Sequence, residues 1–132
     1  MKNVKGIMLL GIGAFLIGFL TVSAFVNTFT LEYTIAGGNT TTSNKMTVDQ
    51  DYQQFITSFS KVSDNSFYGY VKKKGLLGIY STKYTIYTLK PSTSIIQTSA
   101  KQNLGSGTFK YSFENLGSGT IAGKTKVETY NS

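Results

Sequence analysis

Apolar and polar residues alternate through "TFTLEYTI", where Phe29, Leu31, Tyr33 and Ile35 stand against Thr28, Thr30, Glu32 and Thr34. A period of two predicts a strand with one buried face. The same period returns at Phe109, Tyr111 and Phe113 against Lys110, Ser112 and Glu114, and at Ile121, Thr125 and Val127 opposite Lys124, Lys126 and Glu128. Between them "LLGIYSTKYTIYTL" has the aromatic and β-branched content of one or two further strands, with Tyr84 and Ile86 alternating with Thr85 and Tyr87. "SIIQTSA" is a weaker candidate.

One segment has two periods. In "VDQDYQQFITSFSKV", Val48, Tyr52, Phe55, Phe59 and Val62 fall at helical spacing, with Asp49 and Asp51 at the start. The stretch lacks Ala, Leu and Glu and is filled with β-branched, aromatic and hydroxyl residues, which disfavour a helix. The strand reading takes Gln54 to Val62 into a hairpin with "SFYGYVKKK" across the turn Ser63 to Ser66; a single short helix over 48–62 is the alternative.

Turn clusters punctuate the rest: "AGGNTTTSN", "SDNS" and "KPSTS", the last with Pro91. The hexapeptide NLGSGT occurs twice, at Asn103 to Thr108 and Asn115 to Thr120. Its Gly-Ser-Gly core looks like a phosphate-binding loop, but such loops work because a helix follows and aims free N–H groups at the anion. Strand-like alternation follows the first copy, so the pattern reads as one turn used twice, the second copy returning the chain into a last strand. Gly117 and Gly119 are expected to supply positive φ angles there.

Short strands between regular turn signals predict an all-β fold, an antiparallel β-sandwich or small barrel. Ahead of it lies "MKNVKGIMLLGIGAFLIGFLTVSAFV": Lys2 and Lys5 make a basic start, and Gly6 to Val26 carries no charge. This is a membrane-targeting leader or anchor helix. As a helix rising ~1.5 Å per residue it is long enough to cross a hydrocarbon core of ~30 Å. Val22-Ser23-Ala24 offers the small residues that signal peptidase needs, and the first strand follows with almost no linker. Cleavage after Ala24 is the reading taken, and a retained anchor the alternative. Residues 1–24 are then leader or anchor, and 25–132 an extracytoplasmic β-domain, because the lysines stay inside.

Composition removes several chemistries. The chain of 132 residues has no histidine, no cysteine and no tryptophan, and all 13 of its basic residues are lysine, against 6 acids. Imidazole-based and thiolate catalysis, disulfides and thiolate metal sites are excluded. Without arginine there is no bidentate clamp for phosphate or guanine, so specific nucleic-acid recognition is not expected. The six carboxylates, Glu32, Asp49, Asp51, Asp64, Glu114 and Glu128, fall on polar strand faces or in loops; paired-carboxylate hydrolysis ranks last, and no cofactor or metal is expected.

What remains is a surface. Lys72, Lys73 and Lys74 form the strongest basic run, and Tyr68, Tyr70, Tyr80, Tyr84 and Tyr87 cluster around it. Alternation puts Tyr68 and Tyr70 on one face with Lys72 and Lys74, an aromatic and cationic surface suited to glycans or polyanions. The pattern as a whole resembles small extracytoplasmic sandwich modules of bacteria, a likeness of fold that carries no function. The expected function is a non-enzymatic secreted or surface module binding cell-wall or other anionic polymer, or serving a structural role. It would contact the membrane through its N-terminal segment if that segment is uncleaved. The alternative is a secreted, membrane-active cationic polypeptide with "KKKGLLGIY" as its active element.

Overall fold

The computed structural model describes residues 6–9, 14–23, 26–64, 66–88 and 90–132, with side chains from residue 27 onward. In chain order the strands are β1 (Gly6–Leu9), β2 (Ala14–Ser23), β3 (Val26–Ile35), β4 (Thr40–Thr42), β5 (Met46–Val48) and β6 (Tyr52–Lys61). They continue as β7 (Phe67–Lys74), β8 (Tyr80–Thr88), β9 (Gln97–Thr98), β10 (Gln102–Asn103), β11 (Gly107–Asn115) and β12 (Ile121–Tyr130). One sheet has the order β1-β2-β3-β12-β6-β10 with β9 also on β6; the other has β4-β11-β7-β8 with β5 also on β11. Every pairing is antiparallel. The expected all-β sandwich is therefore the fold.

The alternating apolar residues meet between the sheets. Phe29, Leu31, Tyr33 and Ile35 of β3, Phe55 and Phe59 of β6, and Ile121 and Val127 of β12 face Phe67 and Val71 of β7, Ile86 of β8, and Phe109, Tyr111 and Phe113 of β11. Aromatic rings carry the contact across the gap. Tyr33 stacks on Phe113 at 4.5 Å and on Phe67 at 5.4 Å, and Phe59 meets Phe67 edge-on at 5.1 Å. Burying each such ring stabilises the fold by about 1.5–3 kcal/mol, and favourable ring geometry adds about 0.5–1.5 kcal/mol per pair. Most polar groups in this layer are paired: the Tyr111 hydroxyl donates to Gln53 Oε1 at 2.7 Å, and the Tyr33 and Thr57 hydroxyls bond Thr125 Oγ1 at 3.0 and 2.9 Å, while the buried Gln53 Nε2 has no hydrogen-bond partner among the described residues.

Within 48–62 the strand reading holds and the alternative helix does not form: Tyr52–Lys61 is a strand with Gln53, Phe55, Thr57 and Phe59 buried in alternation. It does not pair with β7 as a hairpin, however. β6 bonds β12 while β7 bonds β11 and β8, so the turn after Lys61 carries the chain from one sheet to the other. The second NLGSGT copy does the same between β11 and β12, because apolar faces on both sides of it must reach opposite walls of one core. The leader, expected as a helix, is extended at Gly6–Leu9 and Ala14–Ser23, and β2 pairs with β3 along its length. An apolar run must satisfy its backbone groups within a helix or across a sheet, and the edge of β3 provides the second route. Among the described residues no helix is long and apolar enough to cross a membrane.

The two hexapeptides share a sequence but use it differently. In the first, Gly105 takes φ +72°, the left-handed region open to glycine. In the second, neither Gly117 nor Gly119 has positive φ, contrary to expectation. Gly117 is small for space: a Cβ there would meet Ser63 Oγ and Cβ and lie 2.9 Å from Asp64 Oδ1, whereas at Gly119 the nearest atom would be 3.7 Å away. Asn115 is fully buried and Asn103 is exposed. Asn115 Nδ2 donates to the carbonyls of Ile35 (2.9 Å) and Gly119 (2.7 Å), and Oδ1 accepts from Gly117 N (2.9 Å) and Ser63 Oγ (3.0 Å).

The same substitution should therefore give opposite results in the two copies. Asn115→Ala, which strands buried backbone groups, is expected to lower unfolding free energy by about 2–3 kcal/mol. Asn103→Ala should stay within about 0.5 kcal/mol. Likewise Gly117→Ala should destabilise by about 1–3 kcal/mol through overpacking while Gly119→Ala changes little. Urea titrations of the four variants check this, and equal losses for Asn115→Ala and Asn103→Ala, or for Gly117→Ala and Gly119→Ala, would contradict the assignment.

Candidate functional site

Strand β7 has buried Phe67, Gly69 and Val71 on one side, which fixes Tyr68, Tyr70 and Lys72 on the other. Across the strand pairings, Tyr68 lies opposite Glu114 and Tyr87, Tyr70 opposite Ser112 and Thr85, and Lys72 opposite Lys110 and Thr82. The outer face of β8, β7 and β11 thus collects most of the tyrosines and lysines that the sequence places close together. Tyr68 and Tyr70 are parallel at 5.8 Å with 7° between planes, and Tyr87 leans on Tyr68 at 4.8 Å. The Tyr70 hydroxyl donates to Glu114 Oε1 at 2.8 Å, which fixes that ring on the sheet. Partial burial, then the Glu114 acceptor and its charge, push the Tyr70 phenol up to about 12.

A β-bulge extends the face. The pairing of β7 with β8 shifts between Val71 and Lys72: Val71 meets Tyr84 but Lys72 meets Thr82, leaving Lys83 as the extra residue. Tyr84 consequently turns inward, stacking on Phe55 at 5.5 Å, while Tyr80 turns outward beneath the Lys110 ammonium, 4.6 Å from its ring centroid. Tyr80, Lys110, Lys74 and Lys45, with Ser43, Asn44 and Gly78, line a groove of about 510 Å³. None of these three lysines has an ion-pair partner among the described residues. Lys45 and Lys110, distant in sequence from the lysine run, join the site through the pairing of β11 with β5 and β7, and no local pattern could have grouped them.

Lys73 does not share this face. Its ammonium donates to the Leu104 carbonyl at 2.7 Å and sits 5.7 Å from the Phe109 ring centroid, closing the end of the core. Ala24, the expected cleavage position, lies outside the described residues. No group of three acidic side chains able to hold a metal ion occurs among the described residues. Two acids occupy the repeated turns instead: Asp51 Oδ1 accepts from Ser106 N at 3.2 Å, and Asp64 Oδ1 accepts from Ser118 N at 3.1 Å. The amides that made the repeat look like an anion cradle already bind the chain's own carboxylates. The Ser118 bonds hold the Asp64 carboxyl below its ordinary range.

No protein-family model matches the chain, and no curated protein is significantly similar to it in sequence. Among solved structures it overlaps PirA with a TM-score of 0.48 at 6% identity, over 83% of this chain and 96% of that one. A Bacillus endospore-appendage pilus structure overlaps with a TM-score of 0.48 at 10% identity, over 81% and 88% of the two chains. The carbohydrate-binding module TmCBM61, solved with β-1,4-galactotriose, gives 0.35 at 8% identity over 89% and 84%. At such scores these overlaps assign no function, and the chemistry of the face must be argued from its own residues.

The Tyr70–Glu114 bond sets a pH dependence. Because the phenol is raised above its ordinary 10.0, the stability it contributes is complete below about pH 10 and is lost as pH rises toward about 12. Glu114→Gln should bring the Tyr70 phenol down while burial keeps it above its ordinary value, and Tyr70→Phe should remove one late-titrating phenol. Phenolate absorbance against pH reads both, and a Tyr70 titration unchanged by Glu114→Gln would show that the bond does not form.

Proposed function

We propose that the chain is an exported, non-enzymatic β-sandwich that holds an anionic envelope polymer against the outer face of β8, β7 and β11. One observation carries the reading: a ladder of tyrosine rings, Tyr68, Tyr70 and Tyr87, continues past Lys72 to a groove lined by Lys74, Lys110 and Lys45. Flat rings on a sheet accept sugar faces, and lysine ammonium groups attract phosphate or carboxylate without demanding one geometry. A polymer carrying both sugar rings and negative charge uses both halves at once. Export is supported by the basic start at Lys2 and Lys5 and the uncharged run behind it. The absence of arginine argues against base-specific nucleic-acid recognition.

Retention on a phosphate-bearing cell-wall glycan tests the reading. Lys72→Glu, Lys74→Glu and Lys110→Glu together should abolish retention while the far-ultraviolet spectrum stays near wild type and the melting temperature falls only slightly, since Lys74 is exposed and the half-buried Lys72 and Lys110 have no salt bridge among the described residues. Lys73 is left alone because its ammonium bonds Leu104. Wild-type retention should fall steeply as salt rises toward ~1 M, where the Debye length is ~3 Å. Tyr68→Ala with Tyr87→Ala should weaken binding of the glycan more than binding of polyphosphate, which has no sugar ring to stack. Retention that survives both sets of substitutions would remove this face from the function.

A further inference from the structure

The turn between β7 and β8 holds residues that the fold itself does not use. Leu76 and Leu77 are 93% and 94% exposed and Ile79 is 65% exposed, side by side at the tip of the hairpin. Leu77 also takes φ +65°, a left-handed conformation that a leucine adopts at a cost of about 1 kcal/mol. The turn closes through its backbone alone, Gly75 N donating to Ile79 O at 2.7 Å and Gly78 N to Gly75 O at 3.3 Å. Polar residues would complete the same turn and would not expose apolar side chains to water. Three such side chains within one short turn are the kind of feature that marks a contact site.

The surroundings identify the partner. Lys72 and Lys74 precede the tip, and Lys45 and Lys110 flank the groove beside it, where the Lys74 stem runs under Gly78. The strand register also puts the tip at the end of the sandwich where β3 begins: Asn27 pairs with Thr129 and its amide donates to Gln50 at 2.9 Å. At that end Val48 pairs with Gly107, Phe109 with Lys73, and Lys74 with Tyr80. Strand β2 also ends on this side of the sandwich, Ser23 pairing with Val26, before the chain runs back along β3. We propose that residues 75–79 form an interfacial anchor, with Leu76, Leu77 and Ile79 entering the headgroup layer of an anionic bilayer while Lys72, Lys74, Lys45 and Lys110 meet its phosphates. Apolar side chains ringed by ammonium groups match a surface that is charged outside and apolar beneath. This goes beyond polymer binding and tilts the tyrosine ladder up from the membrane rather than onto it.

Because the chain has no tryptophan, Leu76→Trp gives a single reporter at the tip of the full-length protein. It reads the tip itself, whatever the N-terminal segment does. With vesicles of mixed phosphatidylglycerol and phosphatidylcholine, its emission should shift to the blue and be quenched by bromine-labelled acyl chains. With phosphatidylcholine alone the effect should be far smaller, and Asn39→Trp, at the other end of the sandwich, should not respond. Leu77→Asp added to the reporter should weaken partitioning about tenfold. Lys72→Glu with Lys74→Glu should weaken it by roughly fivefold for each lysine removed. Emission that stays unshifted and open to aqueous quencher while the protein floats with the vesicles would overturn the proposal. So would a blue shift that appears without lipid and grows with protein concentration, which would make the tip a contact between copies.

Discussion

The ring of Tyr33, packed across the neighbouring rings of Phe113 and Phe67, is the contact on which the other features depend. It belongs to β3 in one sheet and reaches two neighbouring strands, β11 and β7, of the other. With Phe59 set edge-on to Phe67, it locks both strands in register and in facing. A strand has only two faces, so once Phe67 and Val71 are committed to the core, Tyr68, Tyr70 and Lys72 are committed to solvent. The candidate binding face is the reverse side of the core packing, and nothing has to be built separately to position it.

Polar groups confine that packing to one arrangement. Tyr111 and Gln53 pair inside the layer, Thr125 links Tyr33 to Thr57, and Asn115 ties the loops around Ile35, Ser63 and Gly119 to one buried amide. Each bond is modest when made and costly when broken, so such groups favour one register over its neighbours. Burial raises the phenols of Tyr33 and Tyr111 well above the ordinary tyrosine range, keeping both neutral at any physiological pH. At the exposed end of the site, Lys73 plays a related part: its ammonium is used on Leu104, which leaves Lys72 and Lys74 to face outward.

Much of this was legible from period two. The strands carrying Phe29 to Ile35, Phe109 to Phe113 and Ile121 to Val127 read directly, because each has a continuous apolar face. The segment 48–62 was ambiguous for a specific reason: Phe55 and Phe59 satisfy both periods, and the residues that would have decided for a strand, Gln53 and Thr57, are polar yet buried. Pairing was less legible than strands. Turns rich in Asn, Asp and Gly announce a reversal but do not say whether the next strand joins the same sheet or the opposite one. The aromatic and cationic face was visible at Tyr68, Tyr70, Lys72 and Lys74, whereas Lys45, Lys110 and the outward turn of Tyr80 depended on long-range pairing and on the bulge at Lys83.

Binding at the outer face of β8, β7 and β11, as proposed, would leave a definite pattern of contacts. Amide and side-chain NMR shifts, followed as an anionic glycan is added to uniformly labelled protein, test it most directly. Perturbations should concentrate on Tyr68, Tyr70, Tyr80, Tyr87, Lys72, Lys74 and Lys110, fading across the core to nothing on the outward residues of β12 and β6. Shifts centred on Lys124, Lys126 and Glu128 instead, or spread evenly over every lysine, would contradict it.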